Sequence, residues 1–350
     1  MRRVAIIPGD GIGGEVTAEA VKVLKCLADH GGPALELVAW DLGADRYVET
    51  GTTITEDELD RLGSDYDAIL LGALGDPRVP GNEHARDILL GLRFRLDLYV
   101  NLRPIRLLDP AHSPLRNADP AALDMIIFRE NTEGSYVGLG GVFKRGTPDE
   151  LAIEEDLHTR KGVTRIVRAA FEHADRTGRR VTLADKSNAL RHSGQLWRAV
   201  FEDIAADFPG VERSAMYVDA LAMDLVLHPD RYEVIVTSNL FGDILSDLAA
   251  GLVGGLGLAP SANLHPGRVG LFEPVHGSAP DIAGQDRANP IAAVLSAALM
   301  LEHLGEAGAA ARVEAAVAAA IRAGATTPDL GGALGTREVG EWLCREIVRG

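Results

Sequence analysis

Short apolar runs, most of them closed by a polar or charged residue, alternate along this chain with segments of helical period. Val4–Pro8, Leu35–Trp40, Asp67–Gly72, Met125–Phe128, Val181–Asp185 and Tyr232–Thr237 read as strands. Between them apolar residues return at three- and four-residue spacing, as in Val16, Ala20, Val23, Leu24 and Leu27. Val163, Ile166, Val167, Ala170, Phe171 and Ala174 repeat the pattern, and further helices are expected around Leu196–Ile204, Pro290–Leu304, Ala309–Ala323 and Thr336–Val348. Such alternation predicts an α/β fold whose parallel or mixed sheets are covered by helices. Arg129, Lys186 and Asp219 each close a predicted strand, where ligand-contacting residues gather in open α/β sheets. Residues 140–160 break the alternation: polar and Gly-rich, they suit an exposed arm or hairpin.

At 350 residues the chain has length for one large α/β domain or two of ordinary size. Its formal net charge of −16 argues against non-specific binding of nucleic acid or an anionic membrane, while leaving room for a local basic pocket. No apolar run nears the ~18 residues of a membrane span. The basic start, Met1-Arg-Arg-Val-Ala-Ile-Ile-Pro8, is too short in its apolar part for a signal peptide, so a cytoplasmic location is expected. Cys26 and Cys344 stand near opposite ends, form no metal-type spacing and suggest no disulfide framework.

Gly9, Gly11 and Gly14 follow a strand and precede a helix, the literal form of a dinucleotide fingerprint. Two details oppose it. Asp10 would be a poor neighbour for a pyrophosphate at a helix N-terminus. The acid that ends the second strand, Asp41, comes 30 positions after Gly11 rather than about 20. The alternative is a tight turn at a sheet edge.

Three other stretches carry candidate chemistry. In Asn239–Gly254, Leu240, Ile244, Leu248 and Leu252 suit a helix with one face in a core, and Asp243 and Asp247 stack one turn apart. No Lys, Arg or His occurs from Tyr232 to Leu264 to relieve that repulsion, so the pair is either a solvated acidic face or half of a divalent-metal site. Arg93, Arg95 and Arg103 lie close together, and with Arg129 they suit a di- or tricarboxylate, since a guanidinium grips a carboxylate bidentately. The single-residue alternative is a surface charge. Phe272–Gly284 is a loop of small residues with His276 and Asp281, suited to close approach by a nucleotide or to a stiffened surface loop. Lys186 is a candidate acid/base or an ion-pair partner.

Several long motifs then fall in one order. Asn101-Leu-Arg-Pro104, Arg129-Glu-Asn-Thr-Glu-Gly134, Asn239–Asp247 with Gly255–Ser261, and Glu273-Pro-Val-His-Gly-Ser-Ala-Pro-Asp281 resemble the β-decarboxylating dehydrogenases that act on isopropylmalate, isocitrate, homoisocitrate and tartrate. The resemblance spans Val4 to about Gly332 and is nearest to the isopropylmalate branch. It implies two domains with the active site in the cleft between them. The first, 1–99 plus 255–350, carries the cofactor side and both termini. The second, 100–254, carries the dimer interface, the acidic helix and the exposed arm. It implies that NAD sits against His276, Gly277, Ser278, Ala279, Asp281, Ile282 and Asn289, with Ile12 nearby, rather than on the Gly9–Gly14 turn. Arg93, Arg103 and Arg129 would hold the substrate carboxylates, with Leu89 and Leu90 as an apolar wall. Tyr136, Lys186 and Asp219 would serve acid/base chemistry. Asp219, Asp243 and Asp247 would bind Mg²⁺ or Mn²⁺, and Lys186 and Asp219 would reach in from the partner of a homodimer.

The implied reaction is oxidative decarboxylation of (2R,3S)-3-isopropylmalate to 2-oxo-4-methylpentanoate, a step of leucine biosynthesis. A base takes the hydroxyl proton as hydride leaves for NAD. A hard cation with carboxylate ligands then stabilises the enolate that forms on loss of CO₂. Asp281 favours NAD, since its charge repels a 2′-phosphate. Arg86 stands where many isopropylmalate enzymes carry an acidic residue, although a basic one is also found in the family, and Arg129–Gly134 and Ser238–Phe241 read closer to tartrate and homoisocitrate enzymes. Tartrate, D-malate and homoisocitrate are therefore the alternative substrates. Of different class are a catalytically silent regulatory subunit and a metal-free hydroxyacid dehydrogenase with a Rossmann site. Turnover on any acid excludes the first, and loss of turnover in EDTA excludes the second.

Overall fold

The computed structural model describes residues 1–349. It begins with β1 (Arg2–Gly9), α1 (Gly13–Asp29), β2 (Leu35–Ala39), α2 (Ala44–Thr50), α3 (Glu56–Ser64), β3 (Ala68–Ala73) and α4 (Glu83–Arg95). There follow β4 (Val100–Arg106), β5 (Asp124–Glu130), β6 (Gly140–Phe143), β7 (Leu151–Glu154), α5 (Arg160–Thr177), β8 (Val181–Asp185), α6 (Arg191–Ala205), β9 (Arg213–Tyr217), α7 (Val218–Leu227), β10 (Val234–Thr237) and α8 (Asn239–Leu252). The chain ends with β11 (Pro260–Leu264), β12 (Gly270–Pro274), α9 (Ile291–His303), α10 (Ala307–Arg322) and α11 (Thr336–Arg349).

Contacts divide the chain into two units, one of Met1–Leu98, Arg106–Ala121 and Ala250–Gly350, the other of Tyr99–Ile105 and Ala122–Ala249. Residues 106–121 and 250–254, expected in the second domain, therefore belong to the first. The reason is packing. Arg106 pairs with Glu314 at 3.6 Å, and Gly254 lies so close to His112 that an added Cβ would come within 3.2 Å of its Cβ.

In the first unit the strand order is β2-β1-β3-β12-β11. β1 runs parallel to β2 and β3 (Val4 opposite Leu37 and Ala68), β12 runs parallel to β3, and β11 turns back antiparallel (Ala262 opposite Phe272). β3 is buried throughout, as expected for a strand covered on both faces. Most of α9 is buried, whereas α1 buries one stripe through Val16, Ala20, Val23, Leu24 and Leu27.

In the second unit the order is β4-β5-β10-β8-β9. Phe128 of β5 lies opposite Val236 of β10, which lies opposite Leu183 of β8, all in parallel register. The inward face of α5 is the one read from its period. β6 and β7 form an exposed antiparallel hairpin with Phe143 opposite Leu151.

Two expectations need correction. Asp219 does not close a strand: β9 ends at Tyr217, and Asp219 lies in the first turn of α7. The leucine stripe of α8 faces the core only towards its end, where Leu248 is half-buried and Leu252 buried. Leu240 is 41% exposed and Ile244 56%, while Gly242, Leu245, Ser246 and Ala249 are buried. The small residues decide this, because a Cβ at Gly242 would come within 2.6 Å of the Arg129 side chain. The helix approaches β5 as closely as a glycine allows.

Candidate active site

Arg129 stands at the next-to-last position of β5 and is 1% exposed. Its Nε and Nη2 donate to Asn239 Oδ1 at 2.9 and 2.7 Å, and its Nη1 pairs closely with Asp243. Asn239, the first residue of α8, is oriented from the other side, because its Nδ2 donates to the Glu133 carbonyl at 3.0 Å. Tyr136 Oη donates to Asp243 Oδ2 at 2.7 Å, and its ring lies 5.1 Å from the Arg129 guanidinium carbon. A buried cation, a phenol and a carboxylate thus meet over the start of α8.

Charge is unevenly balanced there. Burial works to raise the Asp243 carboxyl, but the Arg129 charge, the Tyr136 hydroxyl and the Arg103 charge outweigh it and hold it below the usual carboxylate range. Asp247, one turn on, is pushed up by burial against the pull of Arg103, and the Asp243 charge adds to the rise. Burial and the bond to Asp243 raise Tyr136. Arg103, buried on β4, donates from Nε to the fully buried Asn101 at 2.8 Å.

A second cluster of the same unit pairs Lys186 with Asp219. Lys186 follows the end of β8, and its Nζ lies 2.5 Å from Asp219 Oδ1. That hydrogen bond leads the causes that lower the Asp219 carboxyl. Asp219 is thus committed to Lys186 and not to Asp243 or Asp247. Among the described residues of one chain, no three His, Cys, Asp or Glu side chains gather to hold a metal.

The remaining residues lie in the first unit. Arg93, buried in the last turn of α4, donates from Nη2 to Glu273 Oε1 at 3.0 Å, an oxygen that also accepts from Asn263 at 2.9 Å. The buried Arg93 Nε has no hydrogen-bond partner, an N–H left for an acceptor from outside the chain. Leu90 is half-buried, whereas Leu89 packs on the core of Ile88, Leu92 and Leu98. Arg86 is exposed and faces Asp87 at 3.7 Å.

The Gly277–Asn289 loop is tied to the Gly9–Gly14 turn. Ile12 N donates to the Ser278 carbonyl at 2.8 Å, and Gly11, at φ +54°, leaves no space for a Cβ against the same carbonyl. Ala279 takes φ +36°, a region a non-glycine residue seldom adopts. His276 faces the Gly277 carbonyl through Nδ1 at 2.9 Å, so that nitrogen carries the proton. Burial lowers His276, which keeps it neutral, and its buried Nε2 is an acceptor with no donor. Asp281 is exposed and Ile282 half-buried. Asn289 is occupied structurally: its Nδ2 donates to Asp329 at 2.9 Å and its Oδ1 accepts from Ile291 N at 3.0 Å, opening α9.

Asp10 is not open to a phosphate. It is buried and accepts from Ala44 N (2.6 Å), Gly75 N (2.8 Å) and His84 Nε2 (2.8 Å). His84 carries no signal in the sequence, and Asn101, Asn239 and Glu273 open recognised motifs without a role of their own. Each is polar and buried, but nothing local marks a residue whose partner is distant in the chain.

Residues 3–343 match the isocitrate/isopropylmalate dehydrogenase family. The chain is 46% identical over 349 residues to a 3-isopropylmalate dehydrogenase of Thermobifida fusca, covering 99% of this chain and 98% of that one. It is 51% identical over 348 residues to a 3-isopropylmalate dehydrogenase of Frankia casuarinae, covering 97% and 98%. Among solved structures, isocitrate dehydrogenase from Methylococcus capsulatus superposes with a TM-score of 0.91 at 38% identity, over 99% of this chain and all of the other. A β-decarboxylating dehydrogenase from Thermococcus kodakarensis gives 0.82 at 39% identity, over 99% and 96%.

Proposed function

This chain belongs to the isocitrate/isopropylmalate dehydrogenase family, and we propose on that footing that it oxidises and decarboxylates 3-isopropylmalate. The product is 2-oxo-4-methylpentanoate, the cofactors are NAD and Mg²⁺ or Mn²⁺, and the pathway is leucine biosynthesis. The observation that carries the reading is the meeting of Arg129, Tyr136 and Asp243, with the Asp247 carboxyl beside them.

The residues fit the groups they would hold. Asp243 and Asp247 offer carboxylate oxygens suited to a hard divalent ion, and the mutual repulsion that helps raise Asp247 is what a cation would relieve. Asp219 would be the third ligand and would come from the partner of a homodimer, as would Lys186. Supporting that assembly, Leu240 and Ile244 on α8 and Met223 and Leu227 on α7 are exposed apolar residues, and the β6–β7 hairpin exposes Phe143 and Leu151. The donorless Nε2 of His276 suits the exocyclic amine of an adenine, and Asp281 suits a ribose diol.

When bound, NAD supplies the hydride acceptor and the cation supplies Lewis acidity. The chain's own residues do the rest. Arg93, Arg103 and Arg129 hold the two carboxylates, and Leu90 with Leu89 faces the isopropyl group. A neutral Lys186, or Asp219 acting with it, takes the hydroxyl proton. Tyr136 delivers a proton to the carbon that loses CO₂. Its raised pKa keeps the phenol protonated and able to donate.

The test is NADH formation by purified protein on 3-isopropylmalate, D-malate, tartrate, isocitrate and homoisocitrate, with and without EDTA. The expected result is the highest kcat/KM on 3-isopropylmalate and turnover abolished by EDTA. Full turnover in EDTA would sink the metal role. A preference for tartrate or D-malate would move the substrate while leaving the chemistry in place.

A further inference from the structure

The chain has two cysteines, 318 positions apart, and the fold sets one against the other. Cys26 lies on α1 near its C-terminal end, and Cys344 lies on α11, which packs along α1. The Cys26 thiol donates to the Cys344 carbonyl at 3.5 Å, and both residues are half-buried and reduced. We infer that Cys26 and Cys344 are a dithiol that closes to an intramolecular disulfide by exchange with a small-molecule disulfide, stapling α11 to α1.

The surroundings assign the order of events. Cys26 lines a surface groove with Lys22, Lys25 and His30, where an anionic small disulfide has access. Cys344 is the slower partner, because burial, reinforced by Cys26, pushes its thiol up. The Cys26 thiolate attacks one sulfur of the small disulfide, forming a mixed disulfide and expelling one thiolate. Cys344 then loses its proton and attacks the Cys26 sulfur, expelling the second thiolate. Two protein thiols are oxidised, one small disulfide is reduced to two thiols, and the protons released from the cysteines go to the expelled thiolates.

The staple has a structural consequence. α1 holds the Gly277–Asn289 loop through Glu15, which accepts from Gly284 N. α11 holds it through Thr336, whose N donates to the Asp286 carbonyl at 3.1 Å and whose hydroxyl donates to the Ala288 carbonyl at 2.7 Å. A bond between the two helices ties together both anchors of that loop. It also restricts the unfolded chain by closing a loop of nearly its full length.

The experiment treats the full-length protein with oxidised glutathione at mildly alkaline pH. The expected result is loss of both titratable thiols, a Cys26–Cys344 cross-linked peptide from a chain of monomer mass, and a Tm raised by several degrees and restored by dithiothreitol. Cys344→Ser should stop at glutathionylated Cys26, and Cys26→Ser should leave Cys344 unmodified. Retention of both thiols, arrest of the wild type at the mixed disulfide, or cross-links only between chains would each overturn the inference. The peptide map of the wild type decides the matter even if a variant folds poorly.

Discussion

Asp10 and Asp243 are both carboxylates near the start of a helix, the first buried and the second partly exposed, and their partners differ in kind. Asp10 in the first unit is met by two backbone N–H groups from different segments and one imidazole. Asp243 in the second unit is met by a guanidinium and a phenol, with a second carboxyl one turn away. The first arrangement satisfies every lone pair it can and leaves nothing to offer a ligand. The second brings charged and titratable groups together at a partly exposed place, a setting in which a cation or an anionic substrate finds binding energy. A carboxylate is therefore informative by its donors more than by its burial.

The largest expected difference between the two comes from removing the charge at Asp243. Asp243→Asn keeps the shape and an acceptor for Arg129 but withdraws a proposed metal ligand. We expect kcat/KM to fall by roughly 10³-fold or more, about 4 kcal/mol of transition-state stabilisation. Circular dichroism and Tm should stay near wild type. Near-normal kcat/KM at saturating Mg²⁺ would place Asp243 among structural acids with Asp10.

Asp10→Ala should reverse the pattern. It strands two backbone N–H groups and the buried imidazole of His84, whose Nδ1 already lacks a partner. At about 1–3 kcal/mol for each stranded group, stability should drop by several kcal/mol. Below its lowered Tm the folded variant should keep kcat within about threefold of wild type, since the residue touches no substrate. A collapse of kcat with an unchanged melting curve would show that the turn does more than hold segments together.

What was legible in the sequence follows the same divide. The places of Arg129 and Lys186 at strand ends were readable because each follows a short apolar run that forms a buried parallel strand. The inward face of α5 was readable because its apolar residues are large and strictly periodic. α8 misled because its packing face is built of Gly242, Ser246 and Ala249, which hydropathy hardly registers, while Leu240 and Ile244 stay outside. Asp219 was placed on a strand because Met216-Tyr-Val carries no breaker; the helix starts there without one. The Asp10–His84 pair and the Cys26–Cys344 contact join residues 74 and 318 positions apart, and no local pattern encodes a meeting at that range.

The smallest effect tests whether an ion pair outside any site behaves as neither Asp10 nor Asp243 does. Glu58 accepts from Arg46 at 2.7 and 2.9 Å and caps α3 through Thr55 N at 2.8 Å. The hydrogen bonds from Arg46 outweigh burial and bring its carboxyl down to about 2 from 4.5. Because the folded state lowers this pKa, the stabilisation is fully present above about 4.5 and is lost as pH falls towards 2. Solvent screening keeps its size near 1 kcal/mol, so Glu58→Gln should lower Tm by about 2 °C at pH 7. The gap between variant and wild type should narrow steadily below pH 4.5 in melts taken across the acid range, with activity unchanged at pH 7. A gap that persists undiminished into strong acid would mean that Glu58 acts by packing and capping, as Asp10 does, rather than through its charge.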